Sequence, residues 1–256
     1  MTSIRLRGLS RTLGFNPRRS KPASAGAAPY AATPVNFNGS THLTRGGALT
    51  GVADSKVWSG SVWLRNADTA NFAGFFQSVN SRSALLYGIA TGTWDLFGLT
   101  ATAATTLRLQ FTGFADTNWH HLLWSFDLAD AGGRQAYLDD STVGIIWDTF
   151  NNNEIDFTDT DYAIGANDVA GNSTYEGDVA DVWMRLGGAV IDFSVEANRR
   201  LFITAEGRPA NPTGWPSGAQ IQLHGAVDDW HIDKGGGGGF TEIGALGAGT
   251  GPVQLP

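Results

Sequence analysis

The 256-residue chain predicts an all-β fold, two antiparallel sheets packed face to face, and three observations carry that prediction. It holds 34 Gly, nine Trp and 14 Phe, a composition that suits short aromatic strands joined by many turns better than helices. Its apolar residues recur at every second position in runs bounded by Gly, Asn, Asp and Thr, the mark of half-buried strands. About ten such runs follow one another at the spacing of a sandwich. The length suits one such domain flanked by tails.

The first thirty residues stand apart. Arg5, Arg7, Arg11, Arg18, Arg19 and Lys21 are spread among Ser, Pro, Gly and Ala with no acid, so residues 31–256 carry −13 of a chain whose net charge is −7. That stretch has too little apolar area to fold alone and reads as an extended arm, residues 1–30. No apolar stretch of signal-peptide length follows its charges, and nowhere do 18 apolar residues run together. Neither a membrane span nor self-directed secretion is expected. With no Cys, disulfides and thiolate metal sites are excluded.

The sandwich is expected over residues 31–206. In order, strands are read at Ser61–Arg65, Phe72–Val79, Ala84–Ala90, Trp94–Leu99, Leu107–Phe111, His120–Asp127, Arg134–Leu138, Thr142–Trp147 and Asp178–Arg185. Leu122, Trp124 and Phe126 share one face of their strand, which should be core. One helix is expected, Val195–Thr204, capped by Ser194 and plugging a sandwich edge, with Glu196 near its positive end and Arg199 and Arg200 further on. Residues 207–256, rich in Gly and Pro, read as an extension wrapped on the sandwich or a neighbour.

Four ordered segments then carry a resemblance. Trp119-His120-His121-Leu122-Leu123-Trp124-Ser125-Phe126, Tyr137-Leu138-Asp139-Asp140, Ile164-Gly165 with Tyr175-Glu176-Gly177-Asp178-Val179-Ala180-Asp181-Val182, and Phe193-Ser194-Val195-Glu196 resemble the laminin-G-like and concanavalin A-like jelly-roll families. Asp140 stands where their turn usually has glycine. The resemblance implies a lectin-like jelly roll over roughly residues 58–205. The tail, from Gly214-Trp215-Pro216 through Trp230-His231 to Phe240-Thr241-Glu242-Ile243, looks like the ending of structural proteins of tailed phages. That likeness implies a non-enzymatic virion component, a capsid decoration or tail fibre protein.

Candidate chemistry falls in three places. Glu154-Ile155-Asp156-Phe157-Thr158-Asp159 resembles the carboxylate strand of sandwich-fold retaining glucanases, with Glu154 as nucleophile, Asp156 as helper and Asp159 as acid. Its Asn- and Asp-rich flanks and its final Asp favour a solvated acidic loop, so no enzyme is expected. Asp159, Asp161 and Asp168, near Asp156, Asn172 and Asp178, supply the hard oxygens that calcium takes from loops, the one cofactor considered. Trp147, Tyr162 and Tyr175 near Asn167 could form the aromatic and amide platform of a glycan-binding lectin. The rings of His120 and His121 lie on opposite faces of their strand and cannot share a metal. The partners expected are other virion subunits, gripped by the arm, further copies of the chain and a host glycan. No base-reading module points to specific nucleic acid.

Overall fold

The structure is a computed structural model that describes residues 30–67, 73–80, 82–89, 92–113, 115–251 and 253–256. The arm cations Arg5, Arg7, Arg11, Arg18, Arg19 and Lys21 lie outside the described residues. Two antiparallel sheets form a jelly-roll sandwich.

The seven-stranded sheet is built around β1 (Val35–Asn38), β3 (Val57–Asn66), β8 (His120–Asp127), β9 (Asp130–Leu138) and β12 (Glu176–Leu186). β13 (Ile221–Leu223) and β15 (Gly247–Ala248) complete it, in the order β15-β1-β12-β3-β8-β9 with β13 pairing the second half of β12. The eight-stranded sheet runs β10-β7-β6-β5-β4-β11-β2-β14. These strands are β2 (His42–Gly46), β4 (Ala73–Ser78), β5 (Ala84–Ile89), β6 (Thr93–Leu99), β7 (Thr105–Thr112), β10 (Ile145–Phe150), β11 (Asp161–Ile164) and β14 (Thr241–Ile243).

The inward phases of both sheets meet in one core. Val62, Leu64, Leu122, Trp124 and Phe126 face Phe76, Leu86, Leu96, Leu109 and Phe111, all fully buried. Trp58 and Trp124 meet edge to face at 5.9 Å, and Trp124 meets Phe111 at 6.3 Å. Gly60 lies beneath Trp124, where a Cβ would fall 2.1 Å from the indole ring. Two stacked sheets can close this tightly only where one strand surrenders its side chain.

The two sheets differ in what covers their backs. The outward phase of the seven-stranded sheet is itself apolar: Trp63, Leu123, Ala180 and Trp183 are all buried. Phe193, Phe202, Ile203 and Val253 lie over them. This sheet is therefore buried on both faces, which explains why β3, β8 and β12 are buried along nearly their whole length although polar residues recur in them. The expected helix serves this covering layer and not a sandwich edge. It spans only Glu196–Arg199 and starts at Val195 without a side-chain cap, because the Ser194 hydroxyl donates to Asp192 Oδ1 at 2.5 Å. Residues 207–256 enter the sandwich itself, giving strands to both sheets and placing Trp230, Phe240 and Leu246 in the main core.

A β-bulge interrupts β12 against β3 between Ala180 and Trp183. Asp181 occupies it with φ 48°, buried, and accepts a 2.9 Å hydrogen bond from the Tyr30 hydroxyl. Among the described residues no helix is long and apolar enough to cross a membrane.

Candidate functional site

Among the described residues the back of the eight-stranded sheet carries no covering layer like that of its partner, and its register sets two rows of side chains across the strands. One row runs Gln77, Leu85, Phe97, Arg108 and the next runs Gly74, Tyr87, Asp95, Gln110. Leu86 and Leu96 point into the core, so their chain neighbours Tyr87 and Phe97 must point out. Both rings are half-buried.

The second row is organised by Asp95, whose side chain is wholly buried on the outward phase. Arg108 Nε donates to its Oδ2 at 2.8 Å and Gln110 Nε2 to its Oδ1 at 3.0 Å, while the Tyr87 hydroxyl lies 3.4 Å from Oδ2. The hydrogen bond to Asp95 raises the Arg108 pKa and fixes the guanidinium in its charged form. Burial, and then the Asp95 charge, raise that of Tyr87, so the phenol remains a neutral donor. Three strands, β5, β6 and β7, thereby hold one polar cluster in place.

Beside that row opens a cleft of about 270 Å³ lined by Gln77, Arg82, Leu85, Tyr87, Phe97, Leu99 and Asn167. Gln77 is 2% exposed, yet its Nε2 has no hydrogen-bond partner. Asn167 Oδ1 is likewise buried and unpartnered. Asn167 reaches the cleft because residue 74 is glycine: a Cβ there would fall 2.0 Å from Asn167 Oδ1. An unpaired donor and an unpaired acceptor thus share a cleft walled by two aromatic rings, and each costs the fold about 1–3 kcal/mol while unsatisfied. A ligand bearing hydroxyls could satisfy both and lay its apolar face on Phe97 or Tyr87.

The structure separates the residues grouped from the sequence. Asn167 lines the cleft, but Tyr162 and Tyr175 are core side chains, 0% and 1% exposed. Their hydroxyls are spent on the Phe157 and Arg65 carbonyls. Burial removes both from any exposed platform. Trp147 is half-buried in a different hollow between β9 and β10, edge to face with Phe126 and 5.3 Å from the Arg134 guanidinium.

The acidic segment does not assemble the expected pair. Ile155 and Phe157 are drawn into the core, which turns Glu154 out to solvent. Asp156 closes a turn onto Thr158, and Asp159 is buried, accepting from the Thr160 and Asp161 amides. The expected calcium ligands are dispersed in the same way. Asp161 accepts from Asn80, and Asp168 is folded onto Ala170 and Asn172 of its own loop. Asp178 pairs with Arg65 at 2.5 Å, and among the described residues no three His, Asp or Glu side chains converge on a metal position.

A larger hollow of about 580 Å³ lies beside Tyr30, Thr204, Glu206, Arg208 and Asn211. Its one ring is Tyr30, whose hydroxyl is turned to Asp181.

Sequence reasoning missed Gln77, Arg82, Tyr87 and Phe97. The signal was present in β5 and β6, where Leu-Leu-Tyr and Leu-Phe put apolar residues on both phases. On a sheet with one open face, the second phase must present aromatic surface to solvent or to a ligand.

Known structures share this architecture. The native heptameric SAP-like pentraxin of Limulus polyphemus superimposes with a TM-score of 0.54 at 15% identity, over 87% of this chain and 98% of that one. A Bacteroides ovatus protein to which carbohydrate binding has been assigned gives 0.57 at 12% identity, over 89% of this chain and 63% of that one. Domains LG4-5 of the mouse laminin alpha1 chain give 0.42 at 12%, over 60% of this chain and 41% of theirs. No family model and no curated protein sequence matches the chain. At these identities the likeness is one of fold, and that fold is the lectin-like jelly roll.

Proposed function

We propose that the protein is a carbohydrate-binding domain without catalytic activity, and that its saccharide sits in the cleft on the open face of the eight-stranded sheet. One observation carries this reading: the buried Gln77 Nε2 and Asn167 Oδ1, a donor and an acceptor each without a hydrogen-bond partner, belong to residues that line one cleft with Tyr87 and Phe97. Sugars offer hydroxyls that both donate and accept, and C–H faces that stack on rings. A cleft of about 270 Å³ suits about one or two sugar rings. The Bacteroides protein of the same fold, with its assigned carbohydrate binding, lends this reading support.

The test is glycan binding by the wild type and by Phe97→Ala. Phe97 is half-buried on the outward phase, so its truncation should leave the melting temperature within a few degrees while lowering affinity at least tenfold. Unchanged affinity in Phe97→Ala, for a glycan that the wild type binds, would remove this cleft as the site.

The setting we propose is a virus particle. The support is the contrast between six arm cations and a body carrying −13, together with the phage-like style of the tail. In that setting the arm docks on an acidic surface of a neighbouring subunit and presents the cleft to a host glycan. Deleting residues 1–29, which spares Tyr30, should abolish salt-sensitive binding to purified particles and leave glycan binding intact. Particle binding that survives the deletion would sink the role of the arm.

A further inference from the structure

The charge around the cleft narrows the ligand further, on the premise that the cleft binds saccharide. Its lining includes one cation, Arg82, and no carboxylate. Arg108, at the end of the row that holds Gln77, Leu85 and Phe97, is already committed to Asp95 and Asp148, and Arg82 has no carboxylate partner among the described residues. The acid nearest to Asn167 in the chain, Asp168, is turned onto its own loop and accepts from Ala170 and Asn172. In a body carrying −13, the residues lining the cleft carry one positive charge and no negative one.

The donors converge with it. Gln77, whose Nε2 is buried and unpartnered, lines the same cleft as Arg82, so an amide donor and a guanidinium are offered to one ligand. Neutral hydroxyls would satisfy the amide and leave the guanidinium to water. A carboxylate or sulfate on the sugar satisfies both, since a guanidinium forms paired, charge-assisted hydrogen bonds with either group.

We infer that the saccharide bound in this cleft is acidic, and that its carboxylate or sulfate pairs with Arg82 while ring hydroxyls reach Gln77 and Asn167. Arg82 then selects the ligand, and the Tyr87 and Phe97 rings supply affinity that does not depend on charge. Selection by one guanidinium should be worth roughly ten- to hundredfold in affinity.

The experiment is a glycan array probed with the full chain at physiological salt. It carries neutral glycans beside uronate-, sialate- and sulfate-bearing ones. The tightest acidic hit and its neutral counterpart are then titrated calorimetrically against wild type, Arg82→Gln and Gln77→Leu. The expected result is a tenfold or greater preference for the acidic member in wild type, and an acidic-to-neutral affinity ratio near one in Arg82→Gln. Gln77→Leu should weaken both members. The comparison also separates the cleft from the arm, because six arm cations would attract polyanions whether or not Arg82 is present. The hits on the array distinguish carboxylate from sulfate. Equal affinity for acidic and neutral members, or an acidic preference that survives in Arg82→Gln, overturns the inference and leaves glycan binding standing. Binding of no glycan by the wild type overturns both.

Discussion

Gln77 shows how a site can be recognised by what a side chain lacks. A glutamine at 2% exposure ordinarily finds partners for its amide, because an unmet donor there costs about 1–3 kcal/mol. Its Nε2 has none, and Gln77 lines the cleft. Replacing it by Leu, of similar length and apolar, removes the cost together with the function. The Gln77→Leu protein should be as stable as wild type or up to about 2 kcal/mol more stable by urea denaturation, while losing glycan affinity. A loss of more than about 1 kcal/mol would show that Gln77 serves the fold and not a ligand. Asp181 is the opposite kind of residue. Its Oδ2 is also unpartnered, but it is sealed beneath the covering layer of the seven-stranded sheet, so its cost falls on stability and depends on pH.

At the scale of elements, close approach is set by glycines at named places. Gly60 lets the Trp124 ring lie against β3, and a methyl there would stand 2.1 Å from the indole. Gly60→Ala should therefore cost about 3 kcal/mol in chemical denaturation, and a cost under about 1 kcal/mol would mean that the two sheets can part without penalty. The turn after β9 makes the complementary case. Asp139 and Asp140 both adopt positive φ, 53° and 61°, and close a two-residue hairpin between Leu138 and Ser141. Aspartate tolerates that conformation, and where glycine would contribute nothing further, Asp140 holds Arg199 and Arg200 of the covering layer. The long alternating strands were legible because burial on one or both faces fixes their period, as in His120–Asp127. Val35–Asn38, Ile221–Leu223 and Gly247–Ala248 were not, since runs of two to four residues become strands only through the partner they meet. Of the site, Asn167 was legible as an amide near aromatics. Tyr162 could have been excluded, because it shares a phase with Ile164 in β11 and both are core.

For the whole molecule, stability varies with pH through a few buried or half-buried groups. Burial pushes the His121 pKa down to about 4, and burial with the Lys234 charge does the same to His224. In the unfolded chain both titrate near 6.5, so each contributes stability that is present above 6.5 and lost as pH falls toward 4. Asp181 acts in the other direction: burial raises its pKa from 3.8 to about 7, so the stability tied to its protonated form is lost as pH rises through that window. His120 resists burial because Asp139 and Asp116 hold its proton from either side, 2.7 and 3.0 Å away, and its pKa is raised. Its stabilisation is present below 6.5 and is lost as pH climbs through the folded value. Between pH 4 and 6.5 the two depressed histidines outweigh Asp181 by one proton, a margin offset at the acid end by Asp233, whose pKa burial also raises, and stability rises with pH once Asp233 has ionised. Above 6.5 only Asp181 and His120 still titrate among these groups, and stability falls, so the maximum lies near pH 6.5. Asp181→Asn keeps an acceptor for Tyr30 and a side chain that tolerates φ 48°, and it removes the ionisation cost. Urea denaturation in half-unit steps from pH 4.5 to 8.5 should show the wild-type peak. It should also show a variant on the order of 4 kcal/mol more stable than wild type at pH 8 and nearly equal to it at the acid end. Equal stabilities at pH 8, or a wild-type curve still rising past pH 7.5, would mean that Asp181 is solvated and that the covering layer does not seal the back of the seven-stranded sheet.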